Sequence, residues 1–102
     1  MYRYTTPTLP LTIPEVDFSE AQLFRVKIEQ DTVEILKVIN ANDPAVDAEH
    51  KKINVTLTQQ ETSSLGEGNV DIQVRIKLTG DVVLATETKK LSVNEVLDEV
   101  II

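Results

Sequence analysis

The sequence predicts an all-β domain, a two-sheet antiparallel sandwich of immunoglobulin-like type with about seven strands. Apolar and polar residues alternate with a period of two, and turn residues separate the alternating segments at regular spacing. The length of 102 residues suits a single hydrophobic core. We therefore expect one domain over residues 1–102, with a short helical turn near residues 59–64. A small closed barrel is the alternative architecture.

The clearest strand lies between residues 70 and 78, where every second residue is apolar. Successive side chains of a strand point to opposite sides, so one face of this strand is expected in the core and the other in water. Gly80-Asp81 follows as a predicted turn, and residues 82–88 are predicted to form the second strand of a hairpin.

The same pattern occurs earlier in the chain. Phe24, Val26 and Ile28 alternate with charged residues, and Gln30-Asp31 is the predicted turn into a strand over residues 32–39. Another alternating segment predicts a strand over residues 53–57. Residues 40–52 show little apolar periodicity and are predicted to form a connection, with room for a short edge strand.

The N-terminal segment is predicted to form an edge strand preceded by an arm. Leu9, Leu11 and Ile13 alternate with polar residues or proline. Proline donates no hydrogen bond to a neighbouring strand, so Pro10 favours a position at the edge of a sheet. Residues 1–7, which include two tyrosines, are expected to extend from this strand as an arm.

Two segments match the capping box, a side-chain pattern that starts a helix. Thr58 and Glu61 have the required spacing and predict one helical turn through residue 64. Ser92 and Glu95 also match, and the apolar residues that follow fall at helical spacing. Valine and isoleucine dominate this second segment and favour a strand as strongly, so both alternatives stay open there.

Composition and charge disfavour several classes of function. The net charge of −7 disfavours binding to nucleic acid and to anionic membranes. The chain contains no cysteine, so disulfides, thiol nucleophiles and thiolate metal sites are excluded. The first seven residues contain no apolar run typical of a secretory signal, and we therefore expect a cytoplasmic protein.

The residues that could support catalysis form no recognised motif, so we expect no enzyme, no cofactor and no metal. His50 is the single histidine and lies near Asp43, Asp47 and Glu49, but their spacing matches no known metal-binding loop. Gly66-Glu67-Gly68 precedes a strand, whereas a dinucleotide-binding glycine motif opens a helix. We therefore favour a solvated polar loop around His50 and a simple turn at Gly66-Glu67-Gly68.

The C-terminal tail, residues 95–102, is unusually apolar for a chain terminus. Its large apolar residues are the candidate partner-binding residues of this sequence: Val96, Leu97, Val100, Ile101 and Ile102. One interpretation is that the tail completes the core of the sandwich. The other is that it docks on a partner, because an exposed apolar patch otherwise promotes aggregation.

Three stretches together resemble a small domain type of tailed phages and prophages of Gram-positive bacteria. These stretches are residues 21–30, residues 55–62 with the phrase Leu-Thr-Gln-Gln-Glu-Thr followed by residues 68–76, and residues 83–93. Their order is similar to that of the immunoglobulin-like N-terminal domain of baseplate upper proteins and of short phage structural proteins. The resemblance implies a non-catalytic scaffold that assembles with other phage structural proteins or with copies of itself.

The expected function is therefore that of a tail or baseplate component, cytoplasmic during assembly and later part of the virion. The proline-marked arm and the apolar tail are the expected contact regions. The alternative is a carbohydrate-recognition module of immunoglobulin-like type. That alternative needs exposed aromatic residues beside a polar groove, and the chain has only Tyr2, Tyr4, Phe18 and Phe24.

Overall fold

The computed structural model describes residues 1–102 and shows two antiparallel sheets that form a sandwich-like β fold. The predicted fold class is therefore confirmed. The eight strands are β1 (Thr8–Thr12), β2 (Ala21–Gln30), β3 (Val33–Asn40), β4 (Val46–Asp47), β5 (Lys52–Thr56), β6 (Gly68–Leu78), β7 (Val83–Ala85) and β8 (Lys89–Val93). The single α-helix is α1 (Gln59–Ser63), and short 3-10 turns cover Phe18–Glu20 and Thr79–Asp81. None of these helices has the length and apolar character required to cross a membrane.

The larger sheet has five strands, and β2 and β6 form its centre. β2 pairs with β3 on one side and with β6 on the other. Both β7 and β8 pair with β6, β7 near its C-terminal end and β8 near its N-terminal end. Because the pairing is in register, the alternating apolar residues of neighbouring strands lie on the same face and are buried together.

The smaller sheet has three strands in the order β1-β5-β4. β1 lies at its edge, as Pro10 predicts, and Pro10 is paired with Asn54 of β5. β4 is a short edge strand within residues 40–52, where the sequence predicted a connection that could include such a strand. Ile53 and Val55 of β5 point into the space between the sheets and are fully buried.

Seventeen buried apolar residues form one core between the sheets. The central strands contribute Phe24, Val26 and Ile28 from β2 and the apolar positions of β6. Phe18, from the first 3-10 turn, packs against Phe24 with their ring centroids 5.3 Å apart. Full burial of each such side chain stabilises the fold by roughly 1.5–3 kcal/mol.

Helix α1 begins at the predicted capping box. The Glu61 amide donates to the Thr58 hydroxyl over 3.1 Å, and the Thr58 amide donates to the Glu61 carboxylate over 2.9 Å. The helix also holds the N-terminal segment, because the fully buried Thr62 hydroxyl accepts from the Thr5 amide and donates to the Thr5 carbonyl. These two bonds measure 3.1 and 2.8 Å.

Two turns differ from the expected positions. The turn between β2 and β3 is Asp31-Thr32, one residue later than predicted, because Gln30 remains within the strand and pairs with Val33. The side-chain nitrogen of Gln30 donates to the Gly66 carbonyl, and its side-chain oxygen accepts from the Gly66 amide. The β6–β7 hairpin forms as predicted, but residues 79–82 connect the strands, and the Leu78 amide donates the closing hydrogen bond to the Val82 carbonyl.

The predicted strand over residues 82–88 is divided in the structure. β7 ends at Ala85, and the Thr86 hydroxyl and backbone then bond to Val74 of β6. The chain re-enters the sheet as β8, beside the other end of β6. This division produces β8 and accounts for the difference between the eight strands of the structure and the expected number of about seven.

We expect the replacement Thr62→Val to destabilise the fold by about 1–3 kcal/mol, because it leaves the backbone groups of Thr5 without partners at a buried position. Urea denaturation measures the change. The matched control is Thr56→Val, since the Thr56 hydroxyl bonds to Thr8 at an exposed position and its loss should cost less than about 0.5 kcal/mol. Equal losses in the two variants would contradict the anchoring role of Thr62.

Candidate functional site

The C-terminal tail lies outside the core and is neither helix nor strand. Both structures proposed for this segment from the sequence are therefore wrong. Ser92 belongs to β8 and is paired with Asn69, so it is not available to cap a helix. The segment after Asn94 has no neighbouring strand to pair with, which leaves it without a ladder of hydrogen bonds.

The apolar side chains of the tail are exposed. Leu97 and Ile102 are almost completely accessible, Val100 and Ile101 are 58% and 48% exposed, and Val96 is half-buried. None of the five belongs to the core, which is closed at this end of the sheet by Val93 instead. The structure thus places the predicted partner-binding residues together on the surface.

Arg3 fastens the start of the tail to the domain. Its guanidinium donates to the carboxylate of Glu95 over 2.9 and 3.1 Å and to the Ser63 carbonyl over 2.8 Å. It also lies 3.6 Å from the carboxylate of Glu99 and stacks over the ring of Tyr4. Arg3 thereby joins the N-terminal segment, helix α1 and the tail.

The hydrogen bond between Arg3 and Glu95 changes the titration of both groups. It raises the pKa of Arg3 above its ordinary value, and it lowers the pKa of Glu95 below its ordinary value. Both side chains are charged when they form this bond. Ionisation of Glu95 therefore favours attachment of the tail, and attachment of the tail favours ionisation of Glu95.

The end of the tail is fastened to helix α1. The side-chain amide of Gln59 donates to the Ile102 carbonyl over 2.8 Å, and the Ile102 amide donates to the Gln59 oxygen over 3.0 Å. The tail is therefore held at residue 95 and at residue 102, and Leu97 protrudes between these two points.

The predicted arm, residues 1–7, is paired with the segment that precedes the tail. Tyr2 forms an isolated parallel bridge with Asn94, and the Arg3 amide donates to the Asn94 carbonyl over 2.9 Å. The N-terminal amine donates to the Ser92 carbonyl. The arm thus supports the beginning of the tail, and Tyr2 itself stays exposed.

A second surface feature is the outer face of the five-stranded sheet, where the polar residues of the alternating strands lie. Arg25 of β2 is directly opposite Arg75 of β6. Neither arginine forms an ion pair or a side-chain hydrogen bond within the chain. Like charges directly opposite one another destabilise a sheet, so this pair is unfavourable for the isolated domain.

Aliphatic residues on the edge strands border these arginines. Val38 of β3 is the cross-strand neighbour of Arg25, and Ala85 of β7 is that of Arg75. Leu36 and Val83 lie on the same face and are exposed. We call the surface formed by Arg25, Lys27, Arg75 and Lys77, with these aliphatic neighbours, the basic face.

The other end of the same outer face is acidic. Glu29 of β2 is directly opposite Asp71 of β6 and Glu34 of β3. Lys27 is within 3.1 Å of Glu29 and 3.4 Å of Glu34, and Lys90 is within 2.7 Å of Asp71. The bonds and charges of Glu29 and Glu34 raise the pKa of Lys27. On this face, the positive charges without a carboxylate partner are therefore those of the cross-strand pair Arg25 and Arg75.

The histidine and its acidic neighbours do not form a metal centre in the structure. His50 is exposed and its Nδ1 lies 2.8 Å from the carboxylate of Asp47. That bond lowers the pKa of Asp47. Asp43 instead accepts from the Ala45 amide within its own turn. The structure brings together no group of three or more residues of metal-binding type.

The aromatic residues do not line a common groove. Phe18 and Phe24 are part of the core, and Tyr4 lies beneath the guanidinium of Arg3. Tyr2 is the one exposed aromatic residue. Recognition of sugars by stacking on aromatic rings, which the carbohydrate-binding alternative requires, therefore has little support.

The sequence indicates the unusual tail, but it does not indicate the contacts of Arg3 or the opposition of Arg25 and Arg75. Arg25 and Arg75 occupy polar positions in two strongly alternating strands, so their exposure was predictable. Their opposition depends on the register between β2 and β6, for which no local signal exists. Arg3 bonds to the Ser63 carbonyl and to the Glu95 carboxylate, and nothing in the N-terminal segment indicates these contacts.

Comparisons with models of known protein families, with curated protein sequences and with solved structures found no match to this chain.

Acidification is expected to release the tail. The folded-state pKa of Glu95 is depressed, so the attachment is complete above the ordinary glutamate pKa of about 4.3 and is lost as the pH falls through the lower value. NMR order parameters of residues 95–102, recorded at low protein concentration, should fall as the pH is lowered from about 7 to about 2.

The variant Glu95→Gln tests the cause of this release. We expect its tail to be mobile at neutral pH and nearly independent of pH in the acidic range. The control Asp98→Asn should retain the wild-type profile, because Asp98 has no ion pair within the chain. A tail in Glu95→Gln as ordered as that of the wild type at neutral pH would contradict the role of the Arg3 contact.

Proposed function

We propose that this chain is a non-catalytic structural component of a phage or prophage particle, in the tail or baseplate, and that it acts through subunit packing. Its partners are other phage structural proteins or copies of itself. Assembly takes place in the cytoplasm, and the assembled protein becomes part of the virion.

The exposed apolar tail is the observation that carries this proposal. Leu97, Val100, Ile101 and Ile102 lie on the surface within six consecutive residues. Exposed side chains of this size are common singly, but a continuous group marks an interaction site. Covering such a group on a partner removes its apolar surface from water, which is the main driving force of protein association.

The attachment of the tail supports packing on a partner. The contacts of Arg3 with Glu95 and of Gln59 with Ile102 hold the two ends of the segment on the domain surface. A segment held in this way loses less conformational entropy on binding than a free one. The domain therefore presents its apolar residues in a restricted arrangement.

The phage setting comes from the resemblance to the immunoglobulin-like N-terminal domain of baseplate upper proteins. Two of the stretches that carry this resemblance form the central strands β2 and β6. The phrase Leu-Thr-Gln-Gln-Glu-Thr forms the start of α1, whose Gln59 fastens the tail. The residues on which the resemblance rests thus include those that position the proposed interface.

Truncation after Asn94 is expected to reduce self-association while the sandwich stays folded, because the core contains no residue of the tail. Sedimentation velocity measures association, and circular dichroism with thermal melting measures folding. The full-length variant Leu97→Ser should weaken association in the same direction. The control Val82→Ser, an exposed apolar residue outside the tail, should have no effect. An unfolded truncated chain would show instead that the tail stabilises the domain.

The phage setting predicts that the gene for this chain lies among genes for tail, holin or endolysin proteins, and that the protein is present in purified particles. Mass spectrometry of particles purified from an induced prophage measures its presence. A gene within a metabolic operon, or particles without the protein, would contradict this setting. The packing role of the tail is tested separately by the truncation.

A further inference from the structure

We infer that the basic face receives the C-terminal tail of a second copy of this chain, with Asp98 of the tail between Arg25 and Arg75. This inference rests on the proposed role in subunit packing and adds to it the receiving surface. The contact is heterologous, because the tail of one copy meets a different surface of the next.

The first argument is that the two arginines lack partners. Arg3, Lys37 and Lys90 each contact a carboxylate at 2.9 Å or less. Arg25 and Arg75 contact none, although the chain has an excess of acidic residues and a net charge of −7. A carboxylate placed between them would relieve their repulsion and would accept hydrogen bonds from both guanidinium groups.

The second argument concerns the shape and lining of the surface. A groove runs over the basic face and is lined by Arg25, Lys27, Glu34, Leu36, Gln73 and Arg75. Only one of these side chains is apolar, whereas small-molecule sites are lined predominantly by apolar and aromatic groups. Leu36, Val38 and Val83 lie on the flanking strands and are exposed. The surface fits a segment that combines a carboxylate with aliphatic side chains.

The tail has this combination. Asp98 forms no ion pair or side-chain hydrogen bond within the chain, in contrast to Glu95 and Glu99, which lie against Arg3. It lies next to the fully exposed Leu97, between the two points at which the tail is fastened. The charge and the apolar character of this protruding part complement those of the basic face.

The tail does not reach the basic face of its own copy while it is fastened to Arg3. Val93 is paired with Gly68 at the beginning of β6, and Arg75 lies about 23 Å farther along that strand. The three residue-to-residue steps from Glu95 to Asp98 span at most about 10 Å. The contact therefore requires a second copy, and repetition of a heterologous contact builds a ring or a filament.

The charge distribution favours an acidic segment of protein over nucleic acid as the occupant. Glu29 and Asp71 occupy the other end of the same outer face, and Glu34, which also lines the groove, lies 3.4 Å from Lys27. They would repel a phosphate backbone that continued along the sheet. A short segment with one carboxylate at the arginines avoids this repulsion.

The experiment reverses charges on each side of the proposed contact in the full chain. The face variant is Arg25→Glu with Arg75→Glu, and the tail variant is Asp98→Lys. We expect each to weaken self-association about tenfold, as measured by sedimentation velocity at low salt. The control for the face variant is Lys51→Glu with Lys52→Glu, which makes the same change in charge elsewhere. The control for the tail variant is Glu15→Lys. Both controls should associate like the wild type. Circular dichroism confirms folding of each variant.

Two further samples test the heterologous geometry. A chain that carries both the face and tail substitutions should associate again, because the charges are exchanged and remain complementary. A mixture of the face variant and the tail variant should associate with the two copies in alternation. The intact tail of the face variant fits the intact face of the tail variant, and the substituted tail and the substituted face are complementary as well.

Unchanged association of the face variant, together with loss of association after truncation at Asn94, would overturn this inference and leave the proposed packing role intact. Association that is lost in both variants but not restored in their mixture would overturn the heterologous arrangement. A wild-type chain that stays monomeric at every concentration would overturn this inference and would leave other phage structural proteins as the partners in the proposed function. Binding of single-stranded DNA by the wild type but not by the face variant would assign the basic face to nucleic acid instead.

Discussion

The antiparallel pairing of β2 with β6 is the constraint on which the rest of the molecule depends. It places Phe24, Val26 and Ile28 beside the apolar positions of β6, and these residues form the centre of the core. The same register places Arg25 opposite Arg75 on the other face. A shift of one residue would exchange the two faces and bury the charges, so burial of the apolar row also fixes the position of the arginines.

Helix α1 links the sandwich to both ends of the chain. The buried hydroxyl of Thr62 holds Thr5, the carbonyl of Ser63 accepts from Arg3, and Gln59 bonds to Ile102. Most of the contacts of the tail itself are ion pairs and hydrogen bonds at exposed positions, which contribute little stability in water. The tail is therefore positioned by the domain without being part of its core, and it can exchange these contacts for others.

An exposed apolar tail and an unpaired pair of arginines are both unfavourable for an isolated domain. The first leaves aliphatic surface in water, and the second places like charges opposite each other. Both costs disappear when each feature is covered by a complementary surface. The assembly proposed above accounts for both features together. In the proposed assembly, the stability of the domain and that of the contacts between copies would thus depend on different residues.

The sequence by itself determined the fold class, the position of β1 at an edge and the capping box of α1, because alternation, proline and capping residues act on their immediate neighbours. It also identified the tail as unusual. The tertiary structure decided the division of the last strand segment, the irregular form of the tail and the contacts of Arg3. These depend on residues such as Val74 and Glu95 that are distant in the chain, and a local pattern carries no information about which distant groups will meet. The opposition of Arg25 and Arg75 belongs to the same class, since only the packed core fixes the register between their strands.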